Sequence, residues 1–270
     1  MIRKLAPILG VTFVDILGFS ILIPILPYFV KHFGASTVLV GVLFSTFAAC
    51  QLIAGPIWGN VSDRYGRKIV LIVSQIGATI GWCMLAFAPN MTVVFVARII
   101  EGLSGGNISV TQAYVADLVE PHEQTRAFAF VNAAFGAGIV FGPAVGGFML
   151  GRFGFAAPFL AAAGLQAVTL LLTIVMLPES RGKEDRTEQA GLHDIIASLR
   201  DARVSPLLLQ LWMYSLGLYA WFAVFALLLG SALGFGPEKI SYCFAGFGVL
   251  NVLVQIVAVG RISDALGDRA

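Results

Sequence analysis

Charged residues are missing from six long stretches of the chain: 32–62, 69–97, 127–151, 153–178, 204–237 and 240–260. Hydrocarbon cannot satisfy a free backbone, so a segment that crosses a bilayer is a helix of ~20 mostly apolar residues. Each stretch is long enough for one crossing and too short for two with a loop between. Segments 5–30 and 92–116 add two more crossings, each interrupted by charge. The pattern predicts an all-α integral membrane fold with eight transmembrane helices, at about 5–30, 37–58, 69–88, 92–116, 127–150, 156–177, 206–230 and 240–260.

Composition sharpens this. Hydrophobic residues make up 58% of the chain and charged residues 12%, with a mean hydropathy of +0.89. Soluble domains carry roughly 25% charged residues, so a soluble surface of this size could not be covered, and disorder is excluded by the same numbers. A net charge of +2 with no dense basic patch excludes a nucleic-acid partner. Cys50, Cys83 and Cys243 all lie in apolar runs and show neither a disulfide framework nor metal spacing. The opening MIRKLAPILG raises the question of a signal peptide, but the apolar stretch exceeds the ~7–15 residues of an h-region. It also contains Asp15 and ends in Pro24 and Pro27, so it reads as an uncleaved first helix.

Thirteen Lys and Arg residues fall on one side of the predicted topology. Only Lys31, Arg152 and Lys239 fall on the other. The positive-inside rule then places both termini in the cytoplasm. The one long connection, 178–205, divides the chain into a six-helix bundle (1–177), a cytoplasmic linker (178–205) and the start of a second bundle (206–270). Within the linker, Leu192, Ile195, Ile196 and Leu199 recur at helical spacing, as in a short helix lying on the inner membrane surface. A solvated linker with one amphipathic turn fits the same residues.

The segment Gly59-Asn60-Val61-Ser62-Asp63-Arg64-Tyr65-Gly66-Arg67-Lys68 follows the second helix. Gly260-Arg261-Ile262-Ser263-Asp264-Ala265-Leu266-Gly267 follows the eighth, with Gly, Ser, Asp and Gly in register. This internal repeat implies two halves of six helices, and on that arithmetic about four second-half helices are missing, an apparent C-terminal truncation. Arg98 and Glu101 stand three apart on one face of the fourth helix. Ionisable groups at such a depth usually face a cavity and mark a substrate or proton path, although a mutually neutralising structural pair accounts for them too. Asp15 is a third buried charge, and burial disfavours its ionised form, so it can take or release a proton as its surroundings change. A hydrogen-bonded structural aspartate is the plainer alternative. Gly138, Gly142 and Gly146, at i, i+4 and i+8 beside Pro143, make a groove for close helix approach. Gln51, Asn132, Tyr214, Asn251 and Gln255 are candidates to line a central cavity; interhelical hydrogen bonds explain each equally well. No nucleotide loop, metal motif or nucleophile–base pair is seen.

These features resemble the major facilitator superfamily, and within it the drug:proton antiporters that include the tetracycline exporters. Gly59, Asp63, Arg64, Gly66, Arg67 and Lys68 are similar to the family's motif A. Arg98-Ile99-Ile100-Glu101-Gly102 is similar to motif B, and Gly138 to Gly147 to the antiporter motif C. The resemblance implies a proton-coupled antiporter of the bacterial cytoplasmic membrane. It would export small amphipathic compounds or drugs by alternating access, with the proton gradient as its energy source and no cofactor or metal. Asp15, Arg98 and Glu101 would handle the proton. Gly59, Asp63, Arg64, Gly66, Arg67, Lys68, Asp117 and Asp264 would form the cytoplasmic gate. Gly138, Gly142, Pro143, Gly146 and Gly147 would contact the eighth helix and control rocking. The third helix lacks the acid of tetracycline exporters, reading Gly77-Ala78-Thr79-Ile80-Gly81-Trp82, which sets tetracycline itself in question. Transport of another small metabolite, or a truncated non-transporting membrane protein or interaction partner, are the alternatives.

Overall fold

The computed structural model describes residues 2–105, 107–180 and 205–254. They fold into α1 (Ile2–His32), α2 (Thr37–Tyr65), α3 (Arg67–Ala86), α4 (Met91–Leu103), α5 (Asn107–Leu118), a 3-10 turn (Pro121–Glu123), α6 (Gln124–Phe153), α7 (Ala156–Met176), α8 (Ser205–Leu233) and α9 (Pro237–Val254). Seven segments among the described residues are long and apolar enough to cross a membrane, α4 and α5 supplying one between them. With the 18-residue α9, the arrangement is consistent with eight crossings. The predicted surface helix at 192–199 and the second loop copy at 260–269 lie outside the described residues.

Two elements differ from the sequence expectation. The predicted helix 92–116 is divided, with Ser104 and Gly105 in a turn between α4 and α5. Glycine weakens a helix interior by ~1 kcal/mol relative to alanine, and Ser104 is drawn instead to α3, where Ser74 Oγ donates to its carbonyl. The loop expected at 59–68 is almost entirely helical. α2 continues through Gly59, Asp63 and Arg64 to Tyr65, and the reversal into α3 is made at Gly66 alone. Gly66 has φ +107°, a conformation that glycine adopts without strain.

α1 is the central element. About 67% of its apolar window is buried, against 12–39% for the other spans. It packs chiefly on α6 and α7. Leu22, Ile25 and Leu26 of α1 join Leu43, Leu85, Phe159 and their neighbours in one core. Leu5, Ile8 and Val11 join Leu71, Val110 and Val115 in a second core near the Gly66 end. The outward faces carry exposed Leu52, Ile53, Ile57, Val168, Leu171 and Val175. A belt of this kind is stable against hydrocarbon and would drive association in water.

Candidate functional site

Asp15 stands half-buried near the middle of α1. Its Oδ1 accepts a hydrogen bond from Gln166 Nε2 of α7 at 2.8 Å, and Gln166 is itself buried. The carboxyl also lines a cavity of about 150 Å³ between α1, α5 and α6, shared with Thr12, Thr111, Gln112, Asn132 and Phe135 among others. Among the described residues of that lining, Asp15 alone is charged. Of the five candidate cavity residues, Asn132 is on this wall. Gln51 lies on α2, so close to Gly105 that a Cβ there would meet its Cγ at 3.0 Å. Tyr214 is on α8 and 67% exposed. Asn251 belongs to α9, and Gln255 lies outside the described residues. A larger, shallow depression of about 460 Å³ between α3 and α4 holds Thr79, Ile80, Cys83 and Phe87 but none of the predicted site residues. Its walls Ile80 and Phe87 are exposed on the outward face.

Arg98 and Glu101 form a second constellation between α2, α3 and α4. Arg98 is 0% exposed and Glu101 5%, and Arg98 Nη1 donates to Glu101 Oε2. The guanidinium lies 4.2 Å from the Phe47 ring centroid, a favourable cation–π geometry. Phe47 in turn stacks on Phe19 of α1 at 5.7 Å. Phe19 is one helical turn from Asp15, so an aromatic pair links the two charged sites. Gly81 of α3 makes room for the acid. A Cβ there would stand 3.2 Å from Glu101 Cδ and nearer still to Cγ. Beneath the same seam, Gln75 is fully buried and neither end of its amide has a hydrogen-bond partner.

The Gly66 end holds a polar cluster. Arg67 is buried. It pairs with Asp63 at 2.7 Å and Asp117 at 3.1 Å, and its Nη1 donates to Ser62 Oγ at 2.5 Å. The anion at the start of α3 is Glu179. Glu179 Oε1 accepts from the Arg67 amide at 2.8 Å and Oε2 from the Lys68 amide at 3.3 Å. Free N–H groups and the helix dipole favour a carboxylate there. A Cβ at Gly66 would stand 2.6 Å from Glu179 Cδ, so the missing side chain admits the acid as well as the turn. Lys68 Nζ donates to the Ile174 carbonyl at 2.7 Å, tying α3 to the end of α7. Arg64 lies over the Tyr65 ring at 5.2 Å, and Gly59 has open space at its Cβ position. Asp264 lies outside the described residues.

The glycine stripe of α6 meets α1, not the eighth helix. Cβ atoms at Gly138, Gly142 and Gly146 would contact Leu17 N at 2.9 Å, Leu17 O at 2.6 Å and Ile21 O at 3.1 Å. Ser20 Oγ donates across this interface to the Gly138 carbonyl at 2.8 Å. The helix runs unbroken through Pro143. The adjacent face of α6 does reach α9: Gly147 abuts Ser241, Gly151 abuts Glu238 and Val140 abuts Gly248. One sequence motif therefore serves two interfaces, because residues at i+4 stay on one helix face and the next position turns about 100° away. At the end opposite Gly66, Tyr28 OH of α1 donates to the Phe235 carbonyl at 3.1 Å above Gly230. Around it Ile23, Phe222, Ala226, Ile240 and Phe244 close a third apolar cluster.

Gln166, Glu179 and Tyr28 are the residues that the charge pattern missed. A glutamine inside an apolar run was the available signal for Gln166. Glu179 and Tyr28 depend on tertiary placement.

Comparison with known proteins gives a consistent answer. The family model described as Major Facilitator Superfamily matches residues 8–270. The chain is 31% identical to the class C tetracycline resistance protein of Escherichia coli, covering 99% of this chain and 69% of that protein. It is 28% identical to multidrug resistance protein 2 of Bacillus subtilis, covering 95% of this chain and 66% of that protein. The chain thus spans about two thirds of the length of these relatives. Among solved structures it resembles the human organic anion transporter MFSD10, with TM-score 0.74 and 23% identity over 96% of this chain and 72% of that one. It also resembles a bacterial homologue of the lysosomal transporter Spinster in an inward-facing, unoccupied conformation, with TM-score 0.75 and 15% identity over 99% and 63% of the two chains.

Proposed function

The chain belongs to the major facilitator superfamily, and from that premise we propose that it works as a proton-coupled exporter of small amphipathic compounds in a bacterial cytoplasmic membrane, with both termini on the cytoplasmic side. Asp15 is the proton carrier in this reading. The observation that carries it is an ionisable group on a cavity whose other described lining residues are uncharged, hydrogen-bonded by the Gln166 amide, on the most buried helix. Such a carboxyl is neutralised either by a proton or by a bound cationic group, and exchange between the two is what coupling requires. One proton moving inward supplies ~2.3 kcal/mol per 100 mV of membrane potential. α1 to α7 form the first bundle, and α8 and α9 pack on it through α6 and Tyr28. The arrangement supports rocking about a midplane site. The pairs Arg67–Asp63 and Arg67–Asp117 serve as the cytoplasmic gate, and Arg98 and Glu101 take part in handling the proton.

The test is accumulation of ethidium and of tetracycline in cells lacking their own exporters. The chain should lower ethidium accumulation, and both an uncoupler and Asp15→Asn should abolish the effect. Equal accumulation with the chain, with Asp15→Asn and with empty vector for both compounds would defeat the proposal.

A further inference from the structure

We propose that Gln166 is a positioning residue for Asp15, holding the carboxyl at the cavity wall in both of its charge states. The inference rests on the reading of Asp15 as proton carrier. It stands on where α1 and α7 meet. Gly18 brings the two antiparallel helices together, since a Cβ there would touch Ala162 Cβ at 3.8 Å. One turn along α7 and three residues back on α1, Gln166 and Asp15 come opposite each other, with Nε2 at 2.8 Å from Oδ1.

Gln166 is 3% exposed. Its seat is built: the neighbouring polar side chain on the same stripe, Thr169, is fully buried and turns back onto the Leu165 carbonyl at 2.9 Å, leaving the amide as the α7 group that reaches Asp15. The cavity residues facing Asp15 from α5 and α6, Thr111, Gln112, Asn132 and Phe135, carry no charge.

A primary amide suits this task where a lysine would not. Its N–H₂ donates to the ionised carboxylate. After a half-turn about its broad terminal torsion, its carbonyl accepts the O–H of the neutral acid. A cationic donor would fix the charged form; a neutral, two-ended partner keeps the geometry while the proton comes and goes. The amide never titrates, so it positions without competing for the proton.

The experiment is infrared difference spectroscopy between acid and alkaline conditions on the purified protein in detergent. It reads the C=O band of protonated carboxyl groups and needs no identified substrate. Asp15→Asn should delete one band. Gln166→Met, which keeps the side-chain length, and Gln166→Asn, which falls short of Asp15, should each shift that band to higher wavenumber, because the carboxyl loses a hydrogen bond. Thr169→Val should leave it in place. A band unmoved in both Gln166 variants overturns the assignment, as does an equal shift in Thr169→Val, which would mean general loosening of α7. If Asp15→Asn deletes no band, the proton-carrier reading itself fails and the role of Gln166 falls with it.

Discussion

Gly142→Ala perturbs the closest contact between α1 and α6 by a single methyl group. The added Cβ would stand 2.6 Å from the Leu17 carbonyl oxygen and 2.9 Å from Ser20 Cβ, and nearer still to Ser20 Oγ. Comfortable carbon–oxygen approach begins at ~3.3 Å, so the two helices must part by about 0.7 Å along that line. The obstacle is backbone, which no rotamer change can move. Overpacking of this kind costs ~1–3 kcal/mol. Separation also strains the Ser20–Gly138 hydrogen bond, worth ~0.6 kcal/mol within a membrane bundle. Against this, alanine favours a helix over glycine by ~1 kcal/mol. Gly164→Ala on α7 provides the reference: nothing lies within 4 Å of its Cβ position, so only the helix gain applies. Unfolding of both variants in mixed detergent micelles, followed by helical circular dichroism, should place Gly142→Ala about 1–3.5 kcal/mol below Gly164→Ala, since the helix gain is common to both. If the two fall within ~0.5 kcal/mol of each other, the α1–α6 interface is not held at contact distance by its glycines and the packing account is wrong.

Two further outcomes follow from the charged constellations. Arg98→Met or Glu101→Leu alone leaves one uncompensated charge buried and should cost ~3–5 kcal/mol, whereas the double variant, with both charges removed, should cost less than either single change; strict additivity in the same unfolding assay would count against the buried pair. Glu179→Ala removes the carboxylate from the start of α3 and should lower stability by ~1 kcal/mol at low salt. Because Glu179 is exposed, the difference should shrink in 1 M salt, where the Debye length is ~3 Å, and a salt-independent loss would contradict an electrostatic cap.

The bundle was legible because its physics is coarse. A charge inside hydrocarbon is expensive enough that its absence marks each crossing, and the gaps between charged residues located the helices to within a few residues. Helix ends were harder. Gly59 to Tyr65 reads as a loop by composition, yet it continues α2 because Arg67 gathers Asp63, Asp117 and Ser62 on its inner side and keeps those polar groups satisfied in helical register. The break at Ser104 was hidden for the converse reason: its cause lies on α3, at Ser74 and Gly77, thirty residues away in sequence. The site residues divide in the same way. Asp15, Arg98 and Glu101 announce themselves as isolated charges in apolar runs. Gln166 and Glu179 become meaningful only when α7 is laid against α1 and α3, since an amide or a surface acid has no sequence signature of its own.

The placement of α1 ties the proposed proton site to the contact between the bundles. Asp15 and Gln166 join α1 to α7, the glycine stripe joins α1 to α6 at contact distance, and the far face of α6 meets α9 through Val140, Gly147 and Gly151. Close-packed interiors have little slack, so a displacement of α1 at Asp15 cannot be absorbed at Gly142, where backbone already touches side-chain space. Under the proposed mechanism it is carried to α6 and so to α9. Loading or unloading a proton changes the local interaction free energy of α1 by the difference between a hydrogen-bonded anion and a hydrogen-bonded acid, and a ligand moves an equilibrium only by such a difference. Glycine leaves no clearance between α1 and α6, so the proposed proton site and the contact with α9 sit on two helices packed at contact distance.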